Sequence, residues 1–169
     1  MDTLVSAVIV NYNTKEILRD CLKNLEMRSP SLEIIVVDNS SPDKSADMVS
    51  REFPKVVLLA LKKNIGLAAG NNVGFKKAGG DYVLFLGSDA FPEAGTIEKL
   101  VSFMDKNPDV GICVGEVRLR DGRLDADTHR GFPTPWVAFT HFTGLERVFP
   151  KSRLFGGYFL RYKNLRTTH

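Results

Sequence analysis

The sequence predicts an α/β domain built on a mostly parallel sheet with helices on both faces. Three observations carry this expectation. Short runs of nearly pure Val, Ile and Leu recur along the chain as far as Val117. Segments with apolar residues at helical spacing separate them. Each of the first four runs gives way abruptly to polar residues. Strands that alternate with helices pair in parallel through right-handed crossovers, and burial on both faces makes their sequences continuously apolar.

The elements follow in order. Residues 4–10 form a first strand, and the segment after it places Ile17, Leu18, Cys21, Leu22 and Leu25 on one helical face. Residues 32–37 form a second strand, with Glu33 near its edge, and end in Asp38-Asn39-Ser40-Ser41-Pro42. Pro42 and Asp43 suit a helix start, with Ala46, Val49 and Phe53 following at helical spacing. Residues 56–61 read as a third strand. Residues 66–78 carry Gly70 and Gly74, small enough for a helix to lie close on a sheet. Residues 82–86 form a fourth strand, and Ile97, Leu100, Val101 and Met104 mark a helix after it. Residues 110–117 are expected as a fifth strand. After Arg120 the pattern fades into the Asp121-Gly122 turn and an aromatic stretch with Pro133 and Pro135. Two regions are therefore expected: an α/β domain over 1–120 and a partial second region over 121–169.

Composition narrows the function classes. The 169 residues suit one domain with a substantial core, and 43% hydrophobic with 25% charged residues is ordinary for a globular protein. A net charge of +3 does not suit a nucleic-acid binder. Six of the cations lie between Arg147 and His169 with no acid among them, so the remainder carries about −3. Cys21 and Cys113, only two and far apart, read as reduced core residues in a cytosolic protein. The N-terminus lacks a signal-peptide pattern, and no run reaches the ~20 apolar residues a membrane span needs.

In an open α/β sheet, ligands bind outside the carboxyl ends of the strands. The unusual polar residues fall there. Asn11, Tyr12 and Asn13 follow the first strand, Asp38, Asn39 and Ser40 the second, Lys62, Lys63 and Asn64 the third, and Gly87, Ser88 and Asp89 the fourth. A dinucleotide-binding Rossmann domain needs a glycine-rich turn after its first strand, where this chain has Asn11-Tyr12-Asn13. The same absence argues against a nucleotidyltransferase-like phosphate loop.

Four stretches carry a family resemblance. They are Val5-Ser6-Ala7-Val8-Ile9-Val10-Asn11-Tyr12-Asn13, Ile34-Ile35-Val36-Val37-Asp38-Asn39-Ser40-Ser41, Asn64-Ile65-Gly66-Leu67-Ala68-Ala69-Gly70-Asn71-Asn72 and Tyr82-Val83-Leu84-Phe85-Leu86-Gly87-Ser88-Asp89-Ala90. In this order and spacing the chain resembles family 2 glycosyltransferases of the GT-A fold, the nucleotide-diphospho-sugar transferase, Rossmann-like architecture. The resemblance is closest to their bacterial rhamnosyltransferase-like branch and covers about residues 4–135.

The resemblance implies roles. Val10, Asn11, Tyr12, Asp38, Asn64, Gly66 and Ser88 are expected at the nucleotide and Asp89 at a metal, Mg²⁺ or Mn²⁺. Tyr12 can stack on a pyrimidine or simply pack at the strand end. Asp38 can accept the imide N–H of uracil or thymine, or cap the next turn. Asn64 and Gly66 bring backbone close to a nucleotide or start a helix. Asp89 can tether the cation of a diphosphate, which needs only one or two carboxylates, or cap a helix before Phe91-Pro92-Glu93. The family's DxD motif has an acid or Asn where this chain has Gly87, which weakens the expected metal affinity. A second literal DxD, Asp125-Ala126-Asp127, reads as a solvated loop.

The implied activity is inverting transfer of a sugar from a UDP- or dTDP-sugar donor to a saccharide or lipid-linked acceptor in cell-envelope polysaccharide synthesis. Inversion needs a base for the acceptor hydroxyl. In the family that acid follows an apolar, glycine-containing stretch resembling Leu154-Phe155-Gly156-Gly157-Tyr158-Phe159-Leu160, and no acid follows Glu146. His129 and His141 are weak substitutes. The chain is thus expected to hold the donor half and to transfer poorly alone; the alternative is a non-catalytic nucleotide-sugar-binding module. The expected location is cytoplasmic, with peripheral contact to the inner membrane face as an option. The aromatic, basic tail predicts self-association as a homodimer, a membrane contact, partial disorder, or packing on its own domain.

Overall fold

The computed structural model describes residues 5–29, 31–119, 121–125, 128, 130–160 and 162. They fall in two compact units, Met1–Cys113 and Val114–His169.

The first unit runs β1 (Val5–Asn11), α1 (Lys15–Arg28), β2 (Glu33–Asp38), α2 (Ser45–Glu52), β3 (Val57–Ala60), α3 (Leu67–Phe75), β4 (Tyr82–Leu86) and α4 (Thr96–Lys106). All pairings are parallel and the sheet order is β3-β2-β1-β4. β1 and β2 are central, which explains their largely apolar sequences: side chains on both faces are buried. On one face Val5, Ile9, Ile34 and Val36 pack with Leu18, Cys21, Leu22 and Leu25 of α1, Met48 and Val49 of α2, and Ile97 of α4. On the other face α3 lies on β1 and β2. Its Gly70 and Gly74 leave room for the sheet, since a Cβ at 74 would meet Val8 Cγ1 at 2.3 Å and one at 70 would meet Val10 Cγ1 at 2.9 Å. The expected parallel sheet with helices on both faces is what forms.

Three local expectations are corrected. Ile17 is exposed, because the buried stripe of α1 starts one residue later at Leu18. Of the residues expected on the inner side of α2, Val49 and the following Phe53 are buried, but Ala46 is only half-covered and Ser45 and Met48 take its place. Residues 110–117 pair with no strand among the described residues, and Ile112 is 90% exposed. Gly111 and Gly115 interrupt that run; glycine adds backbone entropy and supplies no side chain to pack, so apolar content alone does not make it a strand.

The second unit holds α5 (Pro135–Phe142) and α6 (Leu145–Val148). Thr134 caps α5 by accepting from Val137 N at 3.2 Å, and Pro135 follows it at the first helical position. That Thr-Pro pair is a readable helix start, overlooked in the aromatic stretch. Part of the aromatic tail packs within this unit: Phe155 lies 6.2 Å from Trp136, and Tyr158 stacks on His141 at 3.9 Å between centroids. His141 Nδ1 also lies 3.0 Å from Oε2 of Glu146, which is 2% exposed and accepts from Phe159 N at 2.9 Å. His141 is thus held in a structural pair. Arg120, Ala126, Asp127, His129, Arg161, Lys163 and Arg166 lie outside the described residues. No described helix is long and apolar enough to cross a membrane.

Candidate functional site

The first three rim segments are held together by side chains that cap backbone. Asn11 and Asp38 are register partners at the ends of β1 and β2. Asn11 is 0% exposed, and its Nδ2 donates to Asp38 Oδ1 at 3.0 Å and to Ser41 Oγ at 3.0 Å. Asp38, 3% exposed, also accepts from Ser41 N on Oδ2 at 3.0 Å. Asp38 therefore caps its turn. It keeps further lone pairs, since a carboxylate offers about four acceptor positions. Ser41 Oγ accepts from Asn13 N at 3.1 Å, which ties down the left-handed backbone of Asn13 (φ 56°).

Asn39 joins β2 to the segment before α3. Its Nδ2 donates to Asn64 Oδ1 at 2.9 Å and its Oδ1 accepts from Ile65 N at 2.9 Å. Asn64 Oδ1 also accepts from Gly66 N at 2.9 Å. Gly66 has φ +83°, a conformation natural to glycine, and nothing lies within 4 Å of where a Cβ would stand. Backbone there is open to a ligand.

The fourth segment is reached through Thr14. Its Oγ1 donates to Asn11 Oδ1 at 2.6 Å and lies 3.2 Å from Ser88 Oγ. A continuous run of side chains thus leads from Asp38 through Asn11 and Thr14 to Ser88, beside Asp89. Cys21 lies under this last turn, its thiol donating to Ala90 O at 3.3 Å. Burial, and then the charge of Asp89, push that thiol up to about 12, so it stays protonated as a weak donor.

Asp89 is exposed, and a Cβ at position 87 would meet its Oδ1 at 2.7 Å. Gly87 therefore gives the Asp89 carboxylate space that an acid at that position would fill. Among the described residues no three His, Cys, Asp or Glu side chains come together. One accessible carboxylate is a hard-oxygen ligand of the kind that takes Mg²⁺ or Mn²⁺ with diphosphate and water completing the shell. The residues fit such an ion as a partial site.

The structure thus gathers Asn11, Asp38 and Ser88 into one bonded network, with Asn64 and Gly66 tied to it through Asn39. Tyr12, 51% exposed, follows Asn11 directly, and Val10 faces Gly70 of α3. Asn11 differs from expectation: its side chain is wholly buried and its amide is spent inside the protein, so it braces the site rather than reaching a ligand. Sequence reasoning missed Thr14, Ser41 and the linking role of Asn39. The Asp38-x-x-Ser41 spacing signals a side-chain-capped turn. Thr14 stands where a helix cap belongs, which points to a structural role and hides its link to Ser88.

Residues 6–164 match the family model of glycosyl transferase family 2. The chain belongs to glycosyl transferase family 2. Similar family proteins include an uncharacterized glycosyltransferase of Haemophilus influenzae, 35% identical over 108 residues, which are 62% of this chain and 43% of that protein. The minor teichoic acid biosynthesis protein GgaB of Bacillus subtilis is 27% identical over 70% of this chain and 14% of its own length. Among solved structures, the mannosyltransferase PcManGT of Pyrobaculum calidifontis, in complex with GDP-Man and Mn²⁺, superposes with a TM-score of 0.57 at 26% identity, over 65% of this chain and 35% of that one. S. aureus TarS 1-349 in complex with UDP-GlcNAc superposes at 0.55 with 25% identity, over 70% of this chain and 41% of that one. This family 2 chain spans less than half the length of these relatives. The match and the parallel sheet agree on a GT-A fold.

Proposed function

We propose that the chain is the donor-binding part of a family 2 glycosyltransferase acting in cell-envelope polysaccharide synthesis. A UDP- or dTDP-sugar lies along the rim, its pyrimidine against Tyr12 and Asp38 and its diphosphate toward Ser88 and Asp89. Asn64 and Gly66 offer backbone to the nucleotide. The sugar passes with inversion to a saccharide or lipid-linked hydroxyl. The observation that carries this reading is the bonded run Asp38–Asn11–Thr14–Ser88, which ties the base end and the metal end to one rim.

When bound, Mg²⁺ or Mn²⁺ neutralises charge on the departing diphosphate. Asp89 would hold the ion, and Gly87 leaves its carboxylate the space to do so. The buried carboxylate of Asp38, fixed by Asn11 and Ser41, offers remaining lone pairs to an imide N–H. Support also comes from relatives whose names or bound molecules are a teichoic acid biosynthesis protein, UDP-GlcNAc, and GDP-Man with Mn²⁺.

Calorimetric titration with UDP, dTDP and GDP, each with Mn²⁺ and with EDTA, tests the reading. The expected result is binding of UDP or dTDP that strengthens with Mn²⁺ and exceeds GDP. Tighter GDP binding would reverse the base assignment, and no binding of any nucleotide would end the donor-site reading.

A further inference from the structure

We propose that Thr14 is a positioning residue that carries the hydrogen-bond direction set by the Asp38 carboxylate on to Ser88. As a result Ser88 meets the donor molecule as an acceptor only. The inference rests on the donor-binding reading above.

The direction follows from proton counting. The Asp38 carboxylate accepts and does not donate, so the atom of Asn11 facing it at 3.0 Å is the Nδ2 amide. Asn11 Oδ1 then faces Thr14, and this oxygen can only accept. Thr14 has a single hydroxyl proton, and it goes to Asn11 Oδ1 at 2.6 Å. The 3.2 Å contact between Thr14 Oγ1 and Ser88 Oγ is therefore made with the proton of Ser88. What Ser88 retains is lone pairs. They suit a sugar hydroxyl or the cation that accompanies the diphosphate, and they accept no phosphate oxygen without that cation between them.

A second observation is independent of the first. Thr14 occupies the N-cap of α1 but its side chain caps nothing in that helix. An N-cap threonine ordinarily spends its oxygen on the N–H two or three residues on in its own helix. Here that oxygen makes no such bond, and the hydroxyl joins the two ends of the rim instead. Asp43 Oδ2, from the turn before α2, accepts from Lys15 N at 2.8 Å and holds the start of α1 in place.

The test compares wild type, Thr14→Val, Thr14→Ser and Ser88→Ala. Calorimetry reads UDP affinity with Mn²⁺, thermal melting reads stability, and ¹H–¹⁵N spectra read solvent exchange of the Asn11 side-chain amide. Thr14→Val is expected to lose about fivefold to tenfold in UDP affinity with Mn²⁺, the size of one hydrogen bond. Thr14→Ser is expected to restore the affinity and Ser88→Ala to share the loss. Asn11 amide protection is expected in wild type and Thr14→Ser and reduced in Thr14→Val. Wild-type affinity in Thr14→Val, or equal loss in Thr14→Ser, overturns the proposal, as does an unprotected Asn11 amide in wild type. If Thr14→Val does not fold, an undiminished affinity in Ser88→Ala overturns it. A wild type that ignores UDP but protects the Asn11 amide removes the donor reading and leaves the hydrogen-bond direction standing.

Discussion

The Nδ2 amide of Asn11 meets Oδ1 of Asp38 at 3.0 Å, between register partners at the carboxyl ends of the two central strands. Both residues are almost wholly buried, at 0% and 3% exposure. Removing the amide leaves one carboxylate oxygen of Asp38 with no partner shown in the structure. Asn11→Ala is therefore expected to lose about 1–3 kcal/mol of stability, the cost of an unsatisfied buried polar group. Urea denaturation checks it, and an unchanged midpoint would show that water takes the amide's place. UDP affinity is expected to fall as well, since the same bond orients Asp38.

The two helix glycines of α3 give a graded pair of packing predictions. A Cβ at 74 would stand 2.3 Å from Val8 Cγ1 and 3.2 Å from Val37 Cγ2, in the middle of the sheet. A Cβ at 70 meets only Val10, nearest atom 2.9 Å, near the end of β1. Overpacking of this kind costs about 1–3 kcal/mol. Gly74→Ala is expected near the top of that range and Gly70→Ala near the bottom, with Gly70→Ala also disturbing Val10 at the rim. Equal thermal midpoints for the two variants would refute the ranking.

Tyr12 and Asp89 separate the two ends of the proposed donor site. Tyr12 is 51% exposed, so Tyr12→Ala leaves melting almost unchanged. It is expected to weaken UDP by about 1–3 kcal/mol, the usual worth of one base on an aromatic ring, both with Mn²⁺ and with EDTA. Asp89→Asn is expected to abolish the gain in affinity from Mn²⁺ and leave binding in EDTA unchanged. Equal losses in both buffers for Asp89→Asn would place that residue outside the metal site.

The parallel sheet was legible because β1 and β2 are buried on both faces and read as runs rich in Val and Ile. The rim was legible because Asp38 closes one such run and Asp89 follows another by way of Gly87 and Ser88. Two features were not. Residues 110–117 share the apolar content of a strand, yet pairing depends on a neighbouring edge that composition does not reveal. The Thr14 link joins residues 74 positions apart in sequence, and only the β1–β4 pairing brings them together. The bond from Lys15 N to Asp43 was hidden for the same reason, because it runs between the β1–α1 and β2–α2 turns.

Two carboxylates away from the base and metal ends contribute to the acid sensitivity of the fold. Glu33, at the start of β2, accepts from Gly79 N at 2.9 Å and from the Ser6 hydroxyl, while Ser6 Oγ accepts from Gly80 N at 2.8 Å. The Gly79 amide and then Ser6 hold its carboxyl below the usual 4.5, against the opposing effect of burial. At Asp43 burial pushes upward, but hydrogen bonds from Ser45 and from the Lys15 amide outweigh it and hold the carboxyl below 3.8. A carboxyl with a folded pKa below its unfolded value stabilises the fold above the unfolded value, and the contribution disappears as pH falls through the folded one. Stability is therefore expected to hold near neutrality and to decline as pH drops below 4.5 and then below 3.8. In Glu33→Gln the charge is gone at every pH. Its urea midpoint is expected below wild type near neutrality, with the gap closing in acid as wild-type Glu33 protonates. A gap that stays constant across that range would mean the amide of Gly79 binds the neutral side chain as well as the charged one.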